Sequence, residues 1–74
     1  MRAQIIEAIK QHAKGQLEKH KANVEVHLNN PMGVASHPDH IETINKELKS
    51  MAQYDEQLEM IDKYFEYKDP FKNK

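Results

Sequence analysis

The sequence predicts an all-α fold, an antiparallel two-helix hairpin that dimerises into a four-helix bundle. Three observations lead there. Apolar residues recur at steps of three and four through two long segments. A single cluster of helix-breaking residues, Asn29-Asn30-Pro31-Met32-Gly33, separates those segments. The chain has 74 residues and no cysteine, so it lacks disulfide staples, and chains below ~70–80 residues rarely draw more than ~3–5 kcal/mol from one core. A metal or a partner copy is then the usual support.

The first helix is expected over residues 3–28. Ile6, Ile9, Ala13, Leu17, His20, Val24 and Leu28 fall on one face, with Glu7, Gln11, Lys14, Glu18 and Glu25 on the other. Gly15 lies on the exposed side, where it costs roughly 1 kcal/mol relative to Ala without breaking the helix. The turn covers 29–37: Asn tolerates a left-handed cap, Pro31 cannot continue the helix, and Gly33 supplies any positive φ.

The second helix is expected over 38–66. Ser36 or His37 can cap it, Pro38 suits its first turn, and Asp39 and Glu42 place negative charge at the positive helix end. Ile41, Ile44, Leu48, Met51, Leu58 and Phe65 keep heptad spacing, but Asp55 and Asp62 interrupt one line of it. Tyr54 and Ile61 stand on the adjacent edge, so the apolar stripe is expected to shift sideways near Tyr54. Residues 1–66 then form the hairpin and 67–74, with Asp69-Pro70 and three lysines, a C-terminal tail.

Pairing the helices about the turn sets Leu28 near Ile41, Val24 near Ile44, Leu17 near Met51, and Ile9 near Leu58 and Ile61. Each pairing joins apolar to apolar, which favours this register. Charge favours it too. Residues 1–28 carry five basic and three acidic groups, while 38–66 carry three basic and eight acidic. The whole chain balances at −1, so nothing steers it globally toward nucleic acid or an anionic membrane. No apolar run reaches the ~18–20 residues of a membrane span, and the N-terminus lacks a signal-peptide apolar core. The chain reads as soluble and cytoplasmic, with no membrane partner.

From Asn23 to Phe65 the sequence carries Asn23-Val24-Glu25-Val26, Leu28-x-Asn30-Pro31-x-Gly33, His37-Pro38-Asp39 and Ile61-x-Lys63-Tyr64-Phe65. In these it resembles short uncharacterised helical proteins of large tailed phages infecting marine cyanobacteria. The motifs are turn and capping chemistry. The resemblance implies a phage-encoded accessory protein acting in a bacterial host cytoplasm, and implies no activity.

Histidine is the one enriched reactive type, with five copies. His27, His37 and His40 converge on the turn and are candidate metal ligands, two or three imidazoles with water completing a zinc shell. Solvated or capping histidines are the plainer reading, so no metal and no cofactor is expected. His20, mid-stripe, reads as a polar seam residue that fixes register or oligomeric state, with a pH switch as the sharper alternative. Asp55 comes level with His12, half of a general-base pair. No serine or cysteine nucleophile accompanies it, and a structural contact is expected there. No catalytic residue is assigned, and the chain is expected not to be an enzyme.

Four of the five aromatics fall between Tyr64 and Phe71, among Lys63, Lys68 and Lys72. This superficially resembles a stacking surface for single-stranded nucleic acid, but the helix leading into it is acidic, and such clusters more often close a bundle or dock on protein. Two functions from different classes follow. The favoured one is a non-enzymatic interaction protein that forms a homodimer and binds a further, unidentified protein. Its interface residues are Ile5, Ile9, His20, Tyr54, Ile61, Tyr64 and Phe65, which widen the apolar stripe beyond one seam. The alternative is a nucleic-acid-associated accessory factor acting through the aromatic, lysine-bearing tail.

Overall fold

The computed structural model describes residues 1–29 and 37–66. Two long helices, α1 (Arg2–Leu28) and α2 (His37–Met60), pack against each other, and a five-residue π-helical turn (Ile61–Phe65) extends the second. Among the described residues there is no strand, so the all-α hairpin holds. Residues 30–36 of the turn expected at 29–37, with Ser36 and Gly33, and the tail at 67–74 lie outside the described residues.

Helix α1 opens at Met1, whose carbonyl accepts from the Ile5 N–H at 3.1 Å, without a side-chain cap. It closes at Asn29, which is not left-handed as expected but has φ −95° and ψ 8°. The reason is a double donation to one carbonyl. Both the Asn29 N–H, at 3.0 Å, and its amide Nδ2, at 2.7 Å, reach the Glu25 oxygen, so an orphan acceptor is satisfied without positive φ. At the far end, Glu66 N–H bonds Ile61 O at 3.0 Å, the i→i+5 closure of the π turn. The irregularity of the second helix therefore sits at 61–65, not near Tyr54.

The register agrees with the one expected. Leu17 and Met51 share one groove, Ile9 and Ile61 another, and His20 faces Glu47. The rotation of α2 differs. The half-buried line is His40, Glu47, Tyr54 and Ile61, at steps of seven, paired with Ile44, Met51 and Leu58. Ile41 and Leu48, expected inward, are 58% and 46% exposed. On α1 the inward line is Ile6, Ala13, His20 and His27, which leaves Leu28 62% exposed. Ile9 and Phe65, also expected inward, stand on the outer edge of the seam.

The core is correspondingly thin. Only Ala13 (1% exposed) and Val24 (9%) are buried among the described residues. The hairpin measures 58 × 23 × 15 Å, with a radius of gyration of 17.2 Å, against about 11 Å for a compact chain of this length. A helix with its side chains is ~10–12 Å across. The structure is thus a single layer of two helices, with both broad faces open.

Candidate functional site

The seam changes character along its length. Toward the turn it holds two polar layers one heptad apart. In the first, His20 Nδ1 lies 2.5 Å from Glu47 Oε1, and Asn23 Nδ2 donates to the same oxygen at 3.2 Å. Both His20 and Glu47 side chains are mostly covered, at 17% and 19% exposed. Hydrogen bonding from His20, then from Asn23, holds the Glu47 carboxyl below its ordinary value. The Tyr54 ring stacks on His20 with an interplanar angle of 12° and meets the edge of His12 at 6.1 Å.

The second layer pairs His27 with His40. Their Nδ1 atoms are 3.3 Å apart and their rings meet edge-on at 4.9 Å. The Nε2 of His40 also bonds the His27 backbone oxygen. That oxygen is among the last four carbonyls of α1 and also accepts a backbone N–H at the C-cap. A side chain of α2 therefore caps α1. His37, the third candidate ligand, has its side chain outside the described residues. Among the described residues no group of three or more His, Asp or Glu is arranged to hold a metal ion.

Toward the chain ends the seam is apolar and then ionic. Ile6, Ala13, Leu17, Met51, Leu58 and Ile61 occupy inward positions. Lys10 takes a seam position but turns its ammonium to Glu66, 3.1 Å from each carboxylate oxygen. That hydrogen bond raises the Lys10 pKa. Arg2 donates to the Phe65 carbonyl, tying the start of α1 to the π turn.

Outside the seam, Ile5, Ile6, Ile9, Ile61 and Phe65 line an apolar groove with Met1 and Arg2. A second groove shares Ile9 and Ile61 and continues along Gln53, Gln57 and Met60, with Glu56. The two form one strip on one broad face. Of the interface residues read from the sequence, Ile5, Ile9, Ile61 and Phe65 meet on this strip. Tyr64 is exposed beside them, with its ring against Phe65 and Lys63 Nζ 5.3 Å from the ring centre. His20 and Tyr54 instead lie half-buried in the seam of the single hairpin.

The expected His12–Asp55 pair is replaced by His12–Tyr54; Asp55 is exposed beside Leu17, Lys21 and Leu48. Sequence reasoning missed Glu47 and Asn23 as the partners of His20. The signal was present, because the register that pairs Leu17 with Met51 also sets His20 opposite Glu47. No helix among the described residues is long and apolar enough to cross a membrane. No family model matches the chain, and neither the curated proteins nor the solved structures contain a match to it.

Proposed function

We propose that this chain is a non-enzymatic helical interaction protein that works as a symmetric dimer, two hairpins packed face to face as a four-helix bundle, and engages a further protein through the surface left over. The single-layer architecture carries this reading. Stable domains bury apolar faces between at least two layers, and this hairpin supplies one, 15 Å thick.

Its exposed area points the same way. The structure exposes 6033 Å², whereas a compact monomer of this chain's mass exposes about 4,700 Å². The excess, about 1,300 Å², is above the roughly 600–1,000 Å² that one partner contributes to a standard-size interface and falls in the range of the larger, obligate ones. The strip of Ile5, Ile9, Met60, Ile61 and Phe65 is the part of the surface suited to a second copy, since Gln53 and Gln57 border it and few charges would have to be desolvated. An isologous contact sets that strip against itself. A role as a phage-encoded accessory factor in a host cytoplasm accords with the sequence resemblance and belongs to the same proposal.

Sedimentation equilibrium and thermal unfolding across a concentration series test it. A dimer should melt at a temperature that rises with concentration, and Ile9→Glu should convert it to a poorly helical monomer. A compact helical monomer at micromolar concentration, with a fixed melting temperature and indifferent to Ile9→Glu, would defeat the reading. Salt-sensitive binding of single-stranded DNA by that monomer would favour the nucleic-acid alternative.

A further inference from the structure

We propose that His27 and His40 form a two-imidazole site for a divalent ion of the zinc class at the turn end of the hairpin. The argument begins with proton placement. A carbonyl oxygen only accepts hydrogen bonds, so the His40 nitrogen that meets the His27 oxygen, Nε2, must carry a proton. In neutral His40 the other nitrogen, Nδ1, is then a lone pair. That lone pair faces the Nδ1 of His27 at 3.3 Å.

Two occupants of that gap are chemically reasonable. One is a proton on His27 Nδ1, giving an N–H···N hydrogen bond. At 3.3 Å that bond is a long one. The other is a metal ion. Tetrahedral zinc holds imidazole nitrogens at ~2.0–2.1 Å, and the tetrahedral angle then sets two such nitrogens about 3.3–3.4 Å apart. The observed spacing matches that value.

The surroundings are those of a ligand site. Metal-bound histidines almost always donate their second ring N–H to a carbonyl, carboxylate or water, which fixes tautomer and ring orientation. His40 already has this bond, to the backbone oxygen of its co-ligand. One heptad along, the His20–Glu47 contact fixes the spacing of the two helices. The dipoles roughly offset: His27 lies in the last turn of α1, where a cation is favoured, and His40 near the start of α2, where it is not. Imidazole-only ligation selects zinc, copper or nickel over magnesium or calcium. Two protein ligands leave the remaining positions to water.

The test is to titrate the full chain with Zn²⁺, and separately with Ni²⁺ and Cu²⁺, while following thermal unfolding, with Mg²⁺ as the hard-ion control. The site predicts a melting temperature that rises with Zn²⁺, saturates at one ion per chain and falls back on chelation. His27→Ala and His40→Ala should each weaken Zn²⁺ binding by at least about tenfold, since loss of a supporting contact alone costs 10–100-fold. His12→Ala, at an exposed histidine on the same helix, should keep the response. Should either variant fold poorly, imidazole ¹⁵N spectra of the unaltered chain decide, because Zn²⁺ must shift the Nδ1 resonances of His27 and His40 together. No melting response to any of the three ions, a response that survives both substitutions, or unmoved Nδ1 resonances would overturn the site.

Discussion

Between His20 and His27 the seam sets imidazoles against Glu47 and His40 on either side of the buried Val24, whereas from Leu17 back to Ile6 it is filled mainly by aliphatic side chains facing Met51, Leu58 and Ile61. The polar half has short, directional contacts that are satisfied at one register only. A slip along the seam would take Glu47 and the His40 imidazole away from their partners, which costs more than the bonds themselves contribute. The aliphatic half tolerates small shifts but removes apolar surface from water. Driving force should therefore concentrate near the chain ends and alignment near the turn. Four substitutions test that division.

The largest loss should come from Ile61→Ala. Ile61 faces the seam and also lines the apolar strip beside Ile9. Removing three methyl or methylene groups from such a site costs about 2–3 kcal/mol, toward the low end for buried aliphatic truncations because Ile61 is only half-buried. Denaturant unfolding followed by far-ultraviolet circular dichroism measures it. A cost under about 0.5 kcal/mol, the level of an ordinary surface substitution, would mean that the apolar half is not where stability lies.

Ala13→Leu probes the same half from the opposite direction. At 1% exposed, Ala13 has its single methyl fully covered by what packs over it. Extra methylenes there have no space without displacing neighbours, at about 1–3 kcal/mol. A stabilised variant would show that the helices can move apart at that point, and the seam would be looser than its burial implies.

The hairpin and its register were legible because turn chemistry and apolar pairing agree across the whole chain. The facing line of α2 was harder. Hydropathy alone turns Ile41 and Leu48 inward, yet their line continues into Asp55 and Asp62. The neighbouring line carries His40 and Glu47 but continues into Tyr54 and Ile61. A helix that does not change its winding keeps one line throughout, and the line ending in Tyr54 and Ile61 avoids placing two aspartates against α1. His40 and Glu47 both find partners on that line, which makes it the cheaper one to bury. The π turn at 61–65 had no comparable signature, since no Pro or Gly marks it.

A smaller effect, visible mainly as pH dependence, belongs to the polar half. Glu47 has a folded pKa below its ordinary 4.5, so the unfolded chain takes up that proton first as the solution is acidified. Its contribution is complete above the unfolded value and drains away as pH falls through the lower folded one. Glu47→Gln should therefore lower stability at neutral pH and flatten the part of the acid loss below about pH 4.5. An acid profile identical in the two proteins would remove the His20–Glu47 contact from the list of features that align the helices.

The smallest change should be a gain, at a position belonging to neither half of the seam. Gly15 lies in the middle of α1 on its exposed side, and a Cβ built there meets nothing within 4 Å. Its φ is not positive, so an L side chain fits the backbone as it stands. Gly→Ala at such a site restricts the unfolded chain more than the folded one and stabilises by about 0.4–1 kcal/mol. Because Gly15 points away from α2, the gain should appear alike in the unaltered chain, in Ile61→Ala and in Glu47→Gln, as distant sites add within about 0.3–0.5 kcal/mol. A gain that vanishes in one background would show α1 to be coupled to that half of the seam. A loss at Gly15 under every background would instead place another chain against this face, since the free hairpin has open space there.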